Sequence, residues 1–274
     1  MSRFSRNEAL FGAAGQSLIE GMTVAVCGLG GLGSHVVQQL VYLGVRRFVL
    51  IDYDLVSFSS LNRLIGAIEA DVGCTAKVEV AARLIAAVRP DSSIRSLRAH
   101  VADLGVDSAL TKVDVVFGCL DKDIHRLELL GHAGAIGKPY FDLATDVVGC
   151  GEERYYGGRM VLNRGQGCLV CLPEVLDQEA ITRDRLDPAA LAVQRRIYGV
   201  SEDSLEGTGP AVVSINGVVA SLAVTEFMAL VTGLRKPLAQ LTYRGEAGVV
   251  RRSGDQGDPD CFYCAGFLAD AGRG

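Results

Sequence analysis

The stretch CGLGGLGS, Cys27 to Ser34, constrains this chain more than any other part of it. Gly28, Gly30 and Gly33 satisfy G-x-G-x-x-G between a short apolar run, MTVAVCG, and an amphipathic run, SHVVQQLVYLGV. An apolar run of that length ending at glycine reads as a buried parallel strand, and Val36, Val37, Leu40, Val41 and Leu43 share one helical face. A strand, a glycine turn and a helix in that order direct backbone N–H groups and a helix N-terminus at a phosphate.

A parallel strand needs parallel neighbours, and the sequence supplies them. RRFVLID reads as a second strand and AKVEVAARLIAAVRP as a helix stopped by Pro90; SSIRSLRAHV and VDVVFGCLD are strands. DIHRLELLGHAGAIG is a helix and PYFDLAT another strand. This alternation predicts an open, mostly parallel sheet with helices on both faces. RYYGGRMVLN then reads as an antiparallel strand, and AQLTYRG and AGVVRRS as two more. The fold class is therefore α/β: a Rossmann-like, doubly wound, mostly parallel sheet with an antiparallel C-terminal extension and a four-cysteine zinc site. We expect one unit over 1–274: a helical arm at 1–21, a nucleotide-binding half at 22–150 and a C-terminal half at 151–274. Within the last, 172–209 is a charged excursion that includes the helical patch DPAALAVQRRIYG.

An acid, Asp52, ends the second strand nineteen residues after Gly33, where a carboxylate can take the two hydroxyls of an adenosine ribose. Turn and acid together indicate an adenine nucleotide, against the alternative of a merely tight strand–helix turn, and they suit NAD and ATP equally. A redox enzyme needs a hydride-relay His or Tyr. His35, His125 and His132 fall on expected helices and His100 ends an expected strand, so none lies in a loop at a strand's carboxyl end. Cations follow the acid instead: Arg63 in SSLNRLIG and Lys77 in CTAKVEV. Expelling pyrophosphate from ATP leaves negative charge for such groups to neutralise. Asp121, in FGCLD, ends a central strand at the same crevice, and one carboxylate there suits Mg²⁺ shared with phosphate oxygens. Each of the three alone fits a surface ion pair; their placement in loops after consecutive strands favours ATP.

Eight cysteines without a secretory h-region do not read as a disulfide framework. Cys168/Cys171 and Cys261/Cys264 form two C-x-x-C pairs about ninety residues apart. Four thiolates in two knuckles predict a closed, structural, tetrahedral Zn²⁺ site, with unrelated pairs or a redox dithiol as alternatives. Cys74, Cys119 and Cys150 read as small apolar residues in or near the core. The net charge of −5 and the scattered basic residues argue against nucleic acid as a partner. The apolar run from Gly209 to Leu234 carries Asn216, Thr225 and Glu226, so it reads as a helix buried in the protein or at a subunit interface, not a membrane span. A cytoplasmic setting is expected.

In chain order, RFSRN, GLGGLGS, LIDYDLVSFSSLNRL, a lysine, CLD and two cysteine knuckles resemble the ThiF/MoeB/HesA family, prokaryotic relatives of ubiquitin-activating E1 enzymes. Members adenylate a carboxylate, usually the C-terminal glycine of a small ubiquitin-fold protein. The resemblance implies nucleotide binding by Gly28, Gly30, Gly31, Gly33, Asp52, Asp54 and Asn62, with Gly31 and its neighbours cradling the triphosphate and Asp52 holding the ribose. It implies catalytic roles for Arg63 and Lys77 as pyrophosphate leaves, for Asp121 through Mg²⁺, and for Arg6, which reaches into a partner subunit's site. A homodimer, with an interface helix around Ala211–Leu230, and a ubiquitin-like partner ending in Gly-Gly follow from the same resemblance, as do ATP, Mg²⁺ and structural Zn²⁺.

The sequence departs from the family pattern at three places. Ser60 replaces the asparagine of S-N-L, although Asn62 offers an amide; Lys122 replaces the asparagine after the Mg²⁺ aspartate; and Lys77 lies one residue further from Arg63. No cysteine occurs in 172–209, where some relatives carry one for a thioester or persulfide. The acyl-adenylate is then passed to another protein, a sulfur donor or an E2-like acceptor. The same chemistry on a peptide or modified tRNA base, a catalytically silent E1-like scaffold, and a nicotinamide oxidoreductase are the alternatives.

Overall fold

β1 (Thr23–Cys27) is buried from Val24 to Cys27. A strand without a polar face needs cover on both sides, so it lies inside the sheet. The computed structural model describes residues 2–148, 155–165, 167–173, 175–185, 211–255 and 257–269. Its eight strands run in the order β3-β2-β1-β4-β5-β6-β7-β8. β2 (Arg47–Ile51), β3 (Ser93–Leu97), β4 (Val115–Gly118) and β5 (Tyr140–Val148) extend the sheet in parallel on either side of β1. β6 (Tyr155–Asn163), β7 (Gln240–Arg244) and β8 (Val249–Arg252) continue it antiparallel. The chain moves outward from β1 to β2 and β3, then returns to β4 on the other side of β1. That reversal opens a crevice at the carboxyl ends of β1 and β4, the switch point where such sheets bind ligands.

Alternate residues of the central strands enter two separate cores. Val24, Val26, Phe48, Leu50 and Phe117 meet α1 (Ser5–Gly21), α2 (Gly31–Leu43), α3 (Lys77–Val88) and α7 (Val213–Thr232). Ala25, Cys27, Val49, Ile51 and Val116 meet α4 (Leu104–Leu110), α5 (Asp123–Ala135) and α8 (Phe262–Ala269) on the opposite face. α6 (Gln178–Arg185) follows the first cysteine pair. α1 bends at Gly12, where φ is 76°. α7 is long and apolar enough to cross a membrane by length and composition, and half of its most apolar window is buried in the protein. Its Glu226 is 2% exposed and accepts bonds from both terminal nitrogens of Arg235 (2.7 and 2.5 Å) and from the Leu238 amide (2.8 Å).

Several elements differ from the sequence reading. The strand expected over 92–101 ends at Leu97, the last residue in register with β2, so His100 lies in the loop beyond it. α4, α6 and α8 were not expected; each has at most eight residues, too short for a helical period to stand out. The helical patch DPAALAVQRRIYG, Arg154 and Cys150 lie outside the described residues.

One buried ionic group joins α5 to β5. Arg126 is 3% exposed and Asp142 is fully buried. The Arg126 Nε donates to Asp142 Oδ1 at 3.0 Å, its two terminal nitrogens bond Asp142 and Asp123, and the Tyr140 hydroxyl donates to Asp142 Oδ1 at 2.9 Å. Removing one partner strands a charge in the core, whereas removing both does not. Asp142→Ala is expected to lose about 3–5 kcal/mol in urea unfolding, and Arg126→Met with Asp142→Leu to lose clearly less.

Candidate active site

The turn after β1 is tight enough to require glycine at two positions. Gly28 has φ of 83°, and a Cβ there would lie 2.5 Å from the Cys119 carbonyl oxygen at the end of β4. A Cβ at Gly33 would lie 1.9 Å from the Gly28 carbonyl oxygen. The helix therefore starts directly against the end of its strand. Gly30 is the N-cap of α2 and offers no side chain, and the N–H groups of Gly31, Leu32 and Gly33 have no acceptor among the described residues. Such orphan donors, at the positive end of a helix, suit an anion.

Asp52 sits beside this turn, 8% exposed. Its Oδ2 accepts the Leu29 amide at 2.6 Å and its Oδ1 the Asp54 amide at 2.8 Å. Burial pushes the Asp52 carboxyl above the usual range, opposed by Lys77 and by those two N–H bonds. Each oxygen keeps a second lone pair for a hydroxyl donor. Asp54 holds Lys77: Nζ is 2.6 Å from Asp54 Oδ2, and the Lys77 amide donates to the Asp54 carbonyl at 3.0 Å. Because Lys77 opens α3, that backbone bond also fixes where the helix begins.

The Arg63 stem lies across the turn, its Cγ and Cδ each 3.3 Å from where a Gly31 Cβ would be. Its guanidinium bonds the Ser59 carbonyl and, at 3.0 Å, the Asn62 Oδ1. The loop is fastened to α2 by Ser34, whose Oγ donates to the Gly31 carbonyl (3.0 Å) and accepts the Ile65 amide (3.1 Å). Ser60 is buried and bonds Ser57 Oγ at 2.8 Å, so it closes its own short turn. Asn62 is exposed, with its carbonyl oxygen turned to Arg63.

Asp121 is exposed beyond β4 and close enough to act on Tyr53, which follows Asp52. Burial, then the charges of Asp54, Asp121 and Asp52, push the Tyr53 hydroxyl up. Lys122 is exposed, and its carbonyl begins α5 by accepting the His125 and Arg126 amides. His100 corrects the sequence reading: it stands at the carboxyl end of the sheet, its ring 5.3 Å from that of Tyr53. It is not free as a relay. The Ala102 amide donates to its Nδ1 (3.2 Å), so its Nε2–H donates to His125 Nε2 (3.1 Å), and His125 Nδ1–H donates to Glu128 (3.1 Å). The three side chains converge enough to hold a cation, but the Ala102 amide occupies the nitrogen that must carry the proton when Nε2 binds metal.

One residue of the crevice was not expected from the sequence, and one expected site residue lies away from it, as its assignment to a partner's site requires. Asn216, in the first turn of α7, was missed; it is 2% exposed, and its Nδ2 lies 2.2 Å from where a Gly31 Cβ would be. Its Oδ1 accepts the Thr145 hydroxyl from β5 at 3.0 Å. Arg6, by contrast, is not brought to the turn. It is exposed on α1, near Phe4, which packs on Gly44 beyond the far end of α2. At about 1.5 Å per residue, the thirteen residues of that helix separate the two ends by roughly 20 Å.

The two cysteine pairs meet across the second core. Cys168 lies 3.7 Å from Cys171 and 3.6 Å from Cys261, and Cys171 lies 3.7 Å from Cys264. Four sulfurs about 2.3 Å from a tetrahedral zinc are about 3.8 Å apart, so the donor set fits a metal ion. Cys261 immediately precedes α8 and Cys264 lies in its first turn. Of the other cysteines, Cys119 is partly buried, and burial and then Asp142 push its thiol well up. Cys74 is exposed, contrary to its reading as a core residue.

The ThiF family profile matches residues 4–252. The Escherichia coli K12 sulfur carrier protein ThiS adenylyltransferase is 28% identical over 273 residues, covering 98% of this chain and 96% of its own length. The Bacillus subtilis tRNA threonylcarbamoyladenosine dehydratase is 30% identical over 53% of this chain and 62% of its own length. Among solved structures, Escherichia coli MccB with ATP aligns over 96% of this chain and 74% of its own, at 19% identity and a TM-score of 0.73. That likeness is one of fold. A profile match over nearly the whole chain, together with a full-length adenylyltransferase relative, makes this protein a member of the ThiF family of E1-like adenylyltransferases.

Proposed function

We propose that this enzyme activates the C-terminal glycine carboxylate of a small ubiquitin-like protein by forming an acyl-adenylate from ATP with Mg²⁺. One observation supports the reading: at the β1/β4 switch point, the N–H groups of Gly31, Leu32 and Gly33, without an acceptor among the described residues, lie beside Asp52, the Asp54–Lys77 pair and the stem of Arg63, with Asp121 exposed just beyond β4. Relatives named for activating the sulfur carrier ThiS and for activating a ubiquitin-like modifier support the choice of substrate.

In this reading Gly28, Gly30, Gly31 and Gly33 leave room for the triphosphate, and Asp52, Asp54 and Asn62 complete the nucleotide site. A substrate carboxylate oxygen forms a bond to the α-phosphorus as the bond to the β-bridging oxygen breaks, and pyrophosphate leaves with that electron pair. No general base is required, because the carboxylate is already ionised; positioning and charge neutralisation supply the rate. Arg63 and Lys77 stabilise the charge on the leaving group. Mg²⁺, when bound, neutralises phosphate charge, and Asp121 is the residue that would hold it. Arg6 serves the site of a second copy, which makes the working form a homodimer. An apolar hollow of about 350 Å³, lined in part by Val147, Tyr156, Ile215 and Tyr243, suits an extended peptide tail. Cys168, Cys171, Cys261 and Cys264 would hold a structural Zn²⁺ that clips α8 to the sheet. The setting is cytoplasmic, and the adenylate passes to a sulfur or amine of another protein.

Exchange of labelled pyrophosphate into ATP, in the presence of a ubiquitin-like protein ending in Gly-Gly, tests the reading. Exchange is expected to need the free terminal glycine and to fall by roughly a hundredfold or more in Asp121→Ala and Arg63→Ala. Exchange indifferent to the terminal glycine would refute the substrate assignment. Metal analysis of the purified chain should give about one zinc, lost in Cys261→Ser together with a lower melting temperature; a metal-free wild type of unchanged stability would remove the zinc assignment.

A further inference from the structure

The apolar helix α7 contains one asparagine, and neither composition nor the family match gives it a task. Asn216 is 2% exposed, and its two ends have different surroundings. The carbonyl oxygen accepts the Thr145 hydroxyl at 3.0 Å, which fixes the carboxamide's orientation. The amide nitrogen has no acceptor among the described residues and lies 2.2 Å from the Cβ position of Gly31. A carboxamide donor held in this orientation beside the first turn of α2 is one that a ligand oxygen can satisfy.

The surroundings specify what that acceptor is. Gly31 is the first residue of α2, and the N–H groups of Gly31, Leu32 and Gly33 have no acceptor among the described residues at the same place. The methylenes of Arg63 close the other side of Gly31. Helix donors, an amide donor and an arginine stem thus converge with no acceptor between them among the described residues. We infer that Asn216 is a nucleotide-binding residue whose Nδ2 donates to a phosphate oxygen lying over the first turn of α2, with Thr145 positioning it. The inference rests on the proposed ATP site and extends it to α7, a helix from the other half of the chain. It also explains Gly31: any side chain there would occupy the space of the Asn216 amide.

The contact is to phosphate, whereas Asp52 is placed for the ribose, so the test compares two ligands. Binding of ATP with Mg²⁺ and of adenosine is measured by calorimetry for wild type, Asn216→Ala, Asn216→Asp and Thr145→Val, alongside melting temperatures. Asn216→Ala is expected to weaken ATP about tenfold and leave adenosine unchanged. Asn216→Asp keeps the volume and the acceptor for Thr145 but sets a carboxylate against phosphate, so it is expected to weaken ATP further, again sparing adenosine. Thr145→Val is expected to follow Asn216→Ala more mildly. If Asn216→Ala lowers the melting temperature sharply, Asn216→Asp decides. Equal weakening of both ligands by Asn216→Asp, or ATP binding unchanged in it, overturns the inference. A wild type that binds no ATP refutes the proposed function itself, a result separable from any loss confined to the variants.

Discussion

The contact on which the site depends is that between Gly33 and the Gly28 carbonyl. With no room for even one methyl group, the first turn of α2 is pressed onto the end of β1, and the N–H groups of that turn have no acceptor among the described residues. Gly28 is pressed in turn against the Cys119 carbonyl at the end of β4. The turn is thus clamped by the two strands between which the sheet reverses its order. Asp52 adds a third constraint from β2 by accepting the Leu29 amide within the turn. Three adjacent parallel strands therefore fix the short loop Gly28–Gly30 and the start of α2, and the rigidity of this turn comes from the sheet, not from the loop's own side chains.

The same crowding explains the charges around it. The charges of Asp54, Asp121 and Asp52 all raise the Tyr53 hydroxyl, so negative charge accumulates at this end of the sheet. Lys77 answers this by pairing with Asp54, and its charge also lowers the cost of ionising the buried Asp52. Arg63 keeps its guanidinium on the Ser59 carbonyl and Asn62 while its stem covers Gly31. Both cations are thus held near the crevice by partners that are neutral or singly charged. A polyphosphate offers them several negative charges at once, and exchanging one carboxylate or an amide oxygen for those is favourable.

How far the sequence revealed this follows from range. The central strands, α2, α3 and α5, the turn and the acid after β2 are written in local periodicity and spacing, and they stand where those signals put them. The cysteine pairs were equally legible, because spacing within each pair is a local property and four sulfurs have few other uses. What escaped was set by contacts between distant segments. β3 stops at Leu97 because its partner β2 runs out, which no residue in SSIRSLRAHV announces, and His100 became a loop residue as a result. Asn216 looked like an interruption in an apolar helix. Its meaning lies in Gly31 and Thr145, 185 and 71 residues away in sequence. Cys74 was assigned to the core by residue type alone, and its neighbours place it in solvent.

Arg6 shows a limit of another kind, one that a single chain cannot cross. The start of α1 is fastened to the end of α2 remote from the glycine turn. Asn7 Nδ2 reaches both Gln16 Oε1 and the Leu43 carbonyl at 3.3 Å, and Gln16 donates to the same carbonyl at 3.1 Å. Phe4 is buried against Gly44, with the Arg89 guanidinium 5.1 Å from its ring centre, and Arg89 donates to the Gly44 carbonyl at 2.8 Å. An arm held at so many points cannot swing the length of α2 without breaking them, and the arginine stem is far shorter than that helix. The fold therefore carries this cation away from the glycine turn of its own chain. In the proposed reaction Arg6 acts across an interface between two copies, with the packing of α1 on α2 deciding which site each arginine serves.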